Sequence, residues 1–305
     1  MTADLLHQLQ RVERLATAPK LMRLLRMPGR YLYAIGFRLL RYRITKRGVA
    51  QHAQTFFGTP MTVVLPAGTD IYLTGGKTHD SEIRLARFLI QHLTSGGVFA
   101  DVGAHFGYFS LLAARLVGAQ GKVVAFEASA TTYAVLAANV AAVTAIHAQH
   151  RAVSNQQELV SFYEFPVLYN EYNSLDVTQF SDEKWYGEFK PTKIEVPAVT
   201  LSDFFAAETR LPDIIKIDVE GAEYKVIQGA SALLSRSAPA VVLEYLEPKR
   251  HNTEHQQAAT LLRTLGYHTH RIGSDGQLIA CPDLDSYLQT AQIDSDNFVF
   301  IKDKN

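Results

Sequence analysis

The sequence predicts an α/β fold: a doubly wound, mostly parallel sheet of seven strands, preceded by a helical amino-terminal extension. Three observations lead there. From Gly97 onward, short β-rich runs alternate with helical patterns, as parallel strands joined by crossover helices require. One of these runs turns on glycines directly into a helix, at Phe99-Ala100-Asp101-Val102-Gly103-Ala104-His105-Phe106-Gly107. Two later runs end in carboxylates, Glu127 and Asp218, and the carboxyl edge of such a sheet is where ligands bind.

Composition sets the outer bounds. With 47% hydrophobic and 20% charged residues, the chain has the make-up of a globular protein with a sizeable core, not of a disordered, fibrous or disulfide-rich one. The single cysteine, Cys281, excludes an internal disulfide and a cysteine-cluster metal site, and suits a reducing cytoplasm. The apolar run 31–40 is broken by Arg38 and is far shorter than the roughly 20 residues of a membrane span. It also lies too far from Met1, and lacks a small-residue cleavage pattern, to be a signal peptide, so no export is expected.

Three zones follow along the chain. Residues 1–54 form a basic helical extension, read as two helices divided at Pro28-Gly29, the second with Leu32, Ile35, Leu39 and Tyr42 on one face. Residues 55–98 lead into the core through a hairpin, 61–65 with 70–73, and a helix over 81–93 capped by Ser81. Residues 99–305 hold the main domain. Its strands are expected at 98–102, 122–127, 146–153, 214–219, 240–245, 267–272 and 297–301, with helices at 106–117, 130–143, 222–234 and 253–265. The interval 155–195 is too long for a plain connection and is rich in aromatics, among them Phe162, Tyr169, Tyr172 and Trp185. An inserted lid over a binding pocket is expected there, against the plainer alternative of a hairpin packing its rings on the sheet.

The glycine turn is a nucleotide-binding turn in form: Gly103 and Gly107 permit close approach of the backbone to a ligand, and free N–H groups at the helix start favour an anion. Its spacing is GxxxG rather than the GxGxxG of pyrophosphate-binding dinucleotide folds, which disfavours NAD; alone, it is also an ordinary packing turn. Glu127 stands 24 positions after Gly103, where a carboxylate can accept both hydroxyls of a ribose.

At this point a resemblance becomes specific. DVGAHFGYFS from Asp101, VVAFE ending at Glu127, AVS ending at Ser154, PDIIKIDVEGAE from Pro212 and VVLEY ending at Tyr245 resemble the ordered motifs of FkbM-type S-adenosylmethionine-dependent methyltransferases, over roughly residues 75–250. The resemblance implies a Rossmann-like class I methyltransferase domain that methylates hydroxyl oxygens. It puts Asp101, Gly103, Ala104, His105 and Gly107 around the methionine part of the cofactor, Glu127 on its ribose, and Ser154 near its adenine. Asp218 falls where donor meets acceptor, with Glu220, Glu223 and Glu244 nearby. Two departures stand out: His105 and Ala128 replace the Asn and Pro common in the family.

A methyl on positive sulfur is already activated, so the protein's task is alignment and exclusion of water. Asp218, His105 and His79 are the candidate general bases, in that order. Tyr172, Asn173, Ser174, Glu220 and Glu244 are candidate acceptor ligands, since rings stack on sugars and polar groups fix hydroxyls. Asp218, Glu220 and Glu244 are a carboxylate set of the type that holds Mg2+. Helix-start acids explain Glu220 and Glu223 more simply, and no metal is expected. A sugar or glycan, on a lipid carrier in one version, is the expected acceptor, with a polyketide or other small natural product as the alternative. A non-catalytic binding relative and an NAD-dependent oxidoreductase are the more distant ones.

Formal net charge is zero, yet between Glu13 and Asp70 no acidic residue occurs, while Lys20, Arg23, Arg26, Arg30, Arg38, Arg41, Arg43, Lys46 and Arg47 all do. Three roles are compatible with this segment: a helix pair on the inner face of a membrane through residues 20–47, a docking surface for a partner or for another copy of the chain, and a solvated positive face. Nucleic acid is not an expected partner, because the basic residues are confined to this segment and the domain sets acids around its site.

Overall fold

The structure, a computed structural model, describes residues 2–180 and 183–303, without the side chains of Lys20 and Gln179. The charge of Lys20, and Ser181 and Asp182 within the aromatic interval, lie outside the described residues, as do both chain ends.

The central sheet has eight strands: β1 Val98–Val102, β2 Lys122–Glu127, β3 Ile146–His150, β4 Ile214–Ile217, β5 Ala240–Leu246, β6 His268–Ile272, β7 Leu278–Ala280 and β8 Ser295–Ile301. Their order is β7-β6-β8-β5-β4-β1-β2-β3. Neighbours from β5 to β3 run parallel. β8 is antiparallel between β5 and β6, and β7 hangs antiparallel on β6. Seven of these are the expected strands. The eighth, Leu278–Ala280, is a short and mostly exposed edge strand with no alternating pattern to announce it.

Alternation along the strands explains the two faces. Phe99, Val123, Ala125 and Ile214 join one core, beneath the helices Asp80–His92, Tyr108–Val117 and Ala130–Val140. Ala100, Val102, Val124, Phe126, Ile215 and Ile217 join the other, beneath Glu223–Ser237 and Thr253–Thr264. Successive side chains point to opposite faces of a strand, so a sheet covered on both faces reads as a continuous apolar run. The chain leaves β1 towards β2 and β3, then returns to build β4 and β5 on the other side. The crevice at this reversal, between β1 and β4, is where a doubly wound sheet binds ligands.

The zones before β1 differ from expectation. The hairpin joins Val49–Gln54 to Pro60–Leu65, so a strand rather than helix closes the first zone. Residues 69–74 are a short helix, because Thr69 and Asp70 bond locally: the Thr69 hydroxyl donates to Pro66 O, and Asp70 Oδ1 accepts the Ile71 N–H at 2.7 Å. The extension holds three helices, Thr2–Thr17, Lys20–Arg26 and Pro28–Gly36, the last continuing through a wider turn at Phe37–Tyr42 to Arg43–Thr45. The expected break falls at Met27: one helix ends at Arg26 and Pro28 opens the next, since the first helical position needs no N–H. Thr2–Thr17 buries Leu5, Leu9, Val12 and Leu15, and Glu13 pairs with Arg87 at 2.7 Å. No helix among the described residues is long and apolar enough to cross a membrane.

Candidate active site

The carboxyl ends of β1, β2, β4 and β5 open into a cavity of about 350 Å³. Gly103 begins the turn after β1 with φ of 79°, and a Cβ there would stand 1.8 Å from the carbonyl oxygen of Asp218. The close approach this glycine permits is therefore that of the two strand ends to each other. Gly107 has φ of 89°, which starts the next helix at Tyr108 rather than at 106, and a Cβ there would meet Leu136 at 2.6 Å. Gly103 lines the cavity; Gly107 and Ala104 face the protein instead.

Glu127 ends β2 and is buried. Its Oε2 accepts the backbone N–H of His105 and its Oε1 that of Ser129, each at 2.9 Å. Both oxygens are thus fixed by the backbone with lone-pair capacity left over, which fits a ribose diol. Burial pushes the carboxyl up to about 7, against those two hydrogen bonds. His105 holds left-handed backbone, φ 51°, to present its N–H, and Glu220 holds a similar one, φ 55°. Such strain persists where the surrounding packing over-determines it.

Beyond Gly103 lies a buried charge chain. Lys216 sits on β4 directly opposite Asp101 on β1. Its Nζ stands 3.1 Å from Asp218 Oδ2 and 3.6 Å from Asp101 Oδ1, while Ser110 donates to Asp101 Oδ2. Asp101 is wholly buried behind Lys216, so it secures that lysine and does not line the cavity. Burial works against the Asp218 charge, but Lys216 overcomes it and holds the carboxyl below its ordinary range. Glu244 on β5 is held well above the ordinary range by burial and by the charge of Asp218, to which it is hydrogen-bonded. Glu220 is raised by burial and by Glu244 and Asp218.

Oxygens of Asp218, Glu220 and Glu244 come within 4.8 Å of one another, close enough for a divalent cation. Lys216 sets a positive charge against Asp218, and burial raises both glutamates, which disfavours their charged forms. Glu223 is not part of the cluster: this carboxylate accepts the N–H groups of Val219 and Gly221 and faces His255 Nε2 at 3.4 Å, fixing the loop that carries Asp218.

The aromatic interval is a hairpin, Leu159–Glu164 with Thr192–Val199, whose connection folds over the cavity. Tyr169, Tyr172 and Trp185 stack, with Tyr169 and Trp185 centroids 4.2 Å apart, and Phe165, Phe180 and Phe189 are buried. Most rings therefore pack on one another; Phe162 and Tyr172 reach the cavity. Polar contacts tie this connection down: His105 Nε2 meets Asn170 Oδ1 at 3.1 Å, and Lys77 Nζ meets Glu171 at 2.6 Å and Glu82 at 3.1 Å. Burial lowers His105 to about 4. His79 lines the cavity and meets the Ser81 hydroxyl through Nδ1 at 2.7 Å.

The cavity thus gathers Gly103, His105, Glu127, Asp218, His79, Tyr172, Asn173, Glu220 and Glu244. Ser154 and Ser174 fall off its wall. Ser154 lines a separate pocket, and residues 151–153 take the place beside Glu127. The hydroxyl of Ser174 bonds the carbonyl of Glu220. The residue types alone did not single out Lys77, Glu82, Arg151, Asn170, Glu171 and Arg250 on the wall, or Lys216 behind it. Of these only Lys216 carries a local signal, a lone charge inside the apolar run Ile214-Ile215-Lys216-Ile217.

The Methyltransferase FkbM domain matches residues 101–269. Methyltransferase sdnD of Sordaria araneosa is 28% identical over 185 residues, covering 52% of this chain and 70% of that protein. Among solved structures, methyltransferase FkbM of Methylobacillus flagellatus aligns with a TM-score of 0.41 at 14% identity, over 77% of this chain and 52% of that one. A SAM-dependent O-methyltransferase of Thermotoga maritima aligns with a TM-score of 0.42 at 14% identity, over 87% and 82%. The domain match spans more than half of the sequence and takes in Asp101, Glu127, Asp218 and Glu244, and by it the chain belongs to the FkbM family of S-adenosylmethionine-dependent methyltransferases.

Proposed function

We propose that this enzyme methylates a hydroxyl oxygen of a sugar or glycan. The observation that carries the proposal is one continuous cavity walled both by Glu127 and by the carboxylates Asp218, Glu220 and Glu244. A diol-binding acid and a hydroxyl-binding acid cluster therefore share one space. S-adenosylmethionine supplies the activated methyl; Gly103 and Glu127 are the residues that hold it. Asp218, kept ionised by Lys216, accepts the hydrogen bond of the acceptor hydroxyl and takes its proton as the oxygen is methylated. His105 is the weaker base, since burial lowers it to about 4 and its Nε2 is engaged with Asn170. Glu244, Asn173, Asn297 and Tyr172 offer donors and acceptors to neighbouring hydroxyls, and the lid excludes water. The buried free thiol of Cys281 suits work in the cytoplasm.

The test is transfer of labelled methyl from S-adenosylmethionine to a panel of glycans, polyketides and amines. Label on a glycan hydroxyl, lost in Asp218→Asn, is the expected result. Label on the polyketides or amines alone would overturn the acceptor assignment.

A further inference from the structure

Exposed apolar side chains are concentrated in one place. Among the described residues, the large ones that face solvent are Leu159 and Ile279 and otherwise lie entirely within residues 21–44, where Leu25 is 73% and Ile44 84% exposed. The helix from Pro28 to Thr45 turns Ala34, Phe37 and Tyr42 onto the protein and leaves Leu32, Leu39, Leu40 and Ile44 outside. Arg26, Arg38, Arg41, Arg43 and Arg47 are exposed among them, and no carboxylate occurs between Glu13 and Asp70. Exposed apolar side chains interleaved with exposed arginines along one segment match an anionic lipid interface in both chemistry and charge. A second copy fits poorly, because a two-fold contact would set the same arginines against each other with no acid in the segment to pair them.

This surface is joined to the site. A second cavity, about 510 Å³, is walled by Arg23, Met27 and Tyr31 of the same segment, and it shares Lys77, His79, Glu82 and Glu171 with the active-site cavity. The segment also holds the lid: the Tyr42 hydroxyl accepts the Leu168 N–H at 3.0 Å, and Lys46 pairs with Glu188 at 2.9 Å and lies 4.1 Å over the ring of Phe189.

We propose that residues 21–47 seat the enzyme on an anionic membrane surface, with the leucines and Ile44 in the acyl boundary and the arginines on headgroup phosphates. Resting on the hydroxyl-methylation assignment above, the acceptor is then an amphiphile whose hydroxylated head enters from the lipid surface through the second cavity.

The experiment is flotation with phosphatidylcholine vesicles and with vesicles of phosphatidylcholine and phosphatidylglycerol in equal parts, the latter also carrying dansyl-labelled lipid. Trp185 is the only tryptophan and stacks within the lid, so it serves as energy donor. Expected are binding to the mixed vesicles and not to the neutral ones, weakening with salt, and energy transfer from Trp185. The variant Leu25→Glu/Leu39→Glu/Ile44→Glu alters exposed side chains alone and should lose vesicle binding by at least about tenfold while its S-adenosylhomocysteine affinity is unchanged. Equal binding to both vesicles, no binding to either, or binding without energy transfer would overturn the proposal. So would a dimer in light scattering that this variant dissolves. Absence of S-adenosylhomocysteine binding in the unaltered protein would remove the methyl-transfer function and leave the vesicle result to judge the seat.

Discussion

Lys216 Nζ lies 3.1 Å from Asp218 Oδ2, with both side chains at the switch point of the sheet and Asp101 completing the chain from the facing strand. A buried cation is tolerated only when paired, and here the pairing holds Asp218, the proposed base, in its charged form. Removing the cation leaves two carboxylates with no counter-charge. Lys216→Met is expected to lower unfolding stability by about 3–5 kcal/mol, read from denaturant titration. An unchanged midpoint would mean that the pair is not structural.

Asp218→Asn keeps the shape and removes the proposed proton acceptor. The expected result is a loss of kcat of about 10²- to 10⁴-fold with S-adenosylhomocysteine affinity retained, from steady-state kinetics and calorimetry side by side. A parallel loss of both would assign Asp218 to cofactor binding instead.

Glu127 gives a pH signature. Its carboxyl titrates at about 7 in the folded chain, above its ordinary 4.5, because it is buried. A raised acid stabilises the fold fully below its unfolded pKa, and that contribution is lost as pH rises through the folded one. The melting temperature of the ligand-free enzyme should therefore carry a decline between pH 4.5 and 7 that Glu127→Gln lacks. S-adenosylhomocysteine affinity should run the other way and rise through about pH 7, since the ionised form accepts the diol. A pH-independent affinity would contradict this role.

His105 donates its backbone N–H to Glu127, and its Nε2 meets Asn170 of the aromatic interval. Asparagine tolerates left-handed backbone better than most residues. His105→Asn should hold kcat within a few-fold. A fall as large as that of Asp218→Asn would make the imidazole the base.

What the sequence discloses divides along physical lines. The run ending at Asp101-Val102-Gly103, the acid ending β2 and the acid after β4 were legible because a doubly covered parallel strand writes itself as a short apolar block closed by a polar residue. Polarity alone does not say where a side chain is used. Asp101 and Ser174 look like ligands, yet each serves a neighbour within the protein. Lys77 with Glu171 and His105 with Asn170 are separated by 94 and 65 residues, and no local pattern encodes such pairs. Of the apolar face expected at Leu32, Ile35, Leu39 and Tyr42, the first three point outwards and Tyr42 is buried, where the wider turn at Phe37–Tyr42 breaks the regular helical spacing. Periodicity reveals a face and not what covers it.

The measurement that bears most directly on the enzyme is calorimetric titration with S-adenosylhomocysteine, run in parallel with NAD and with Glu127→Ala. Two hydrogen bonds to a charged group are worth about 2 kcal/mol or more, so the variant should bind about 30-fold more weakly, with NAD not bound at all. Equal binding by both proteins, or NAD bound in place of S-adenosylhomocysteine, would contradict the assignment of Glu127 and of the cavity it lines.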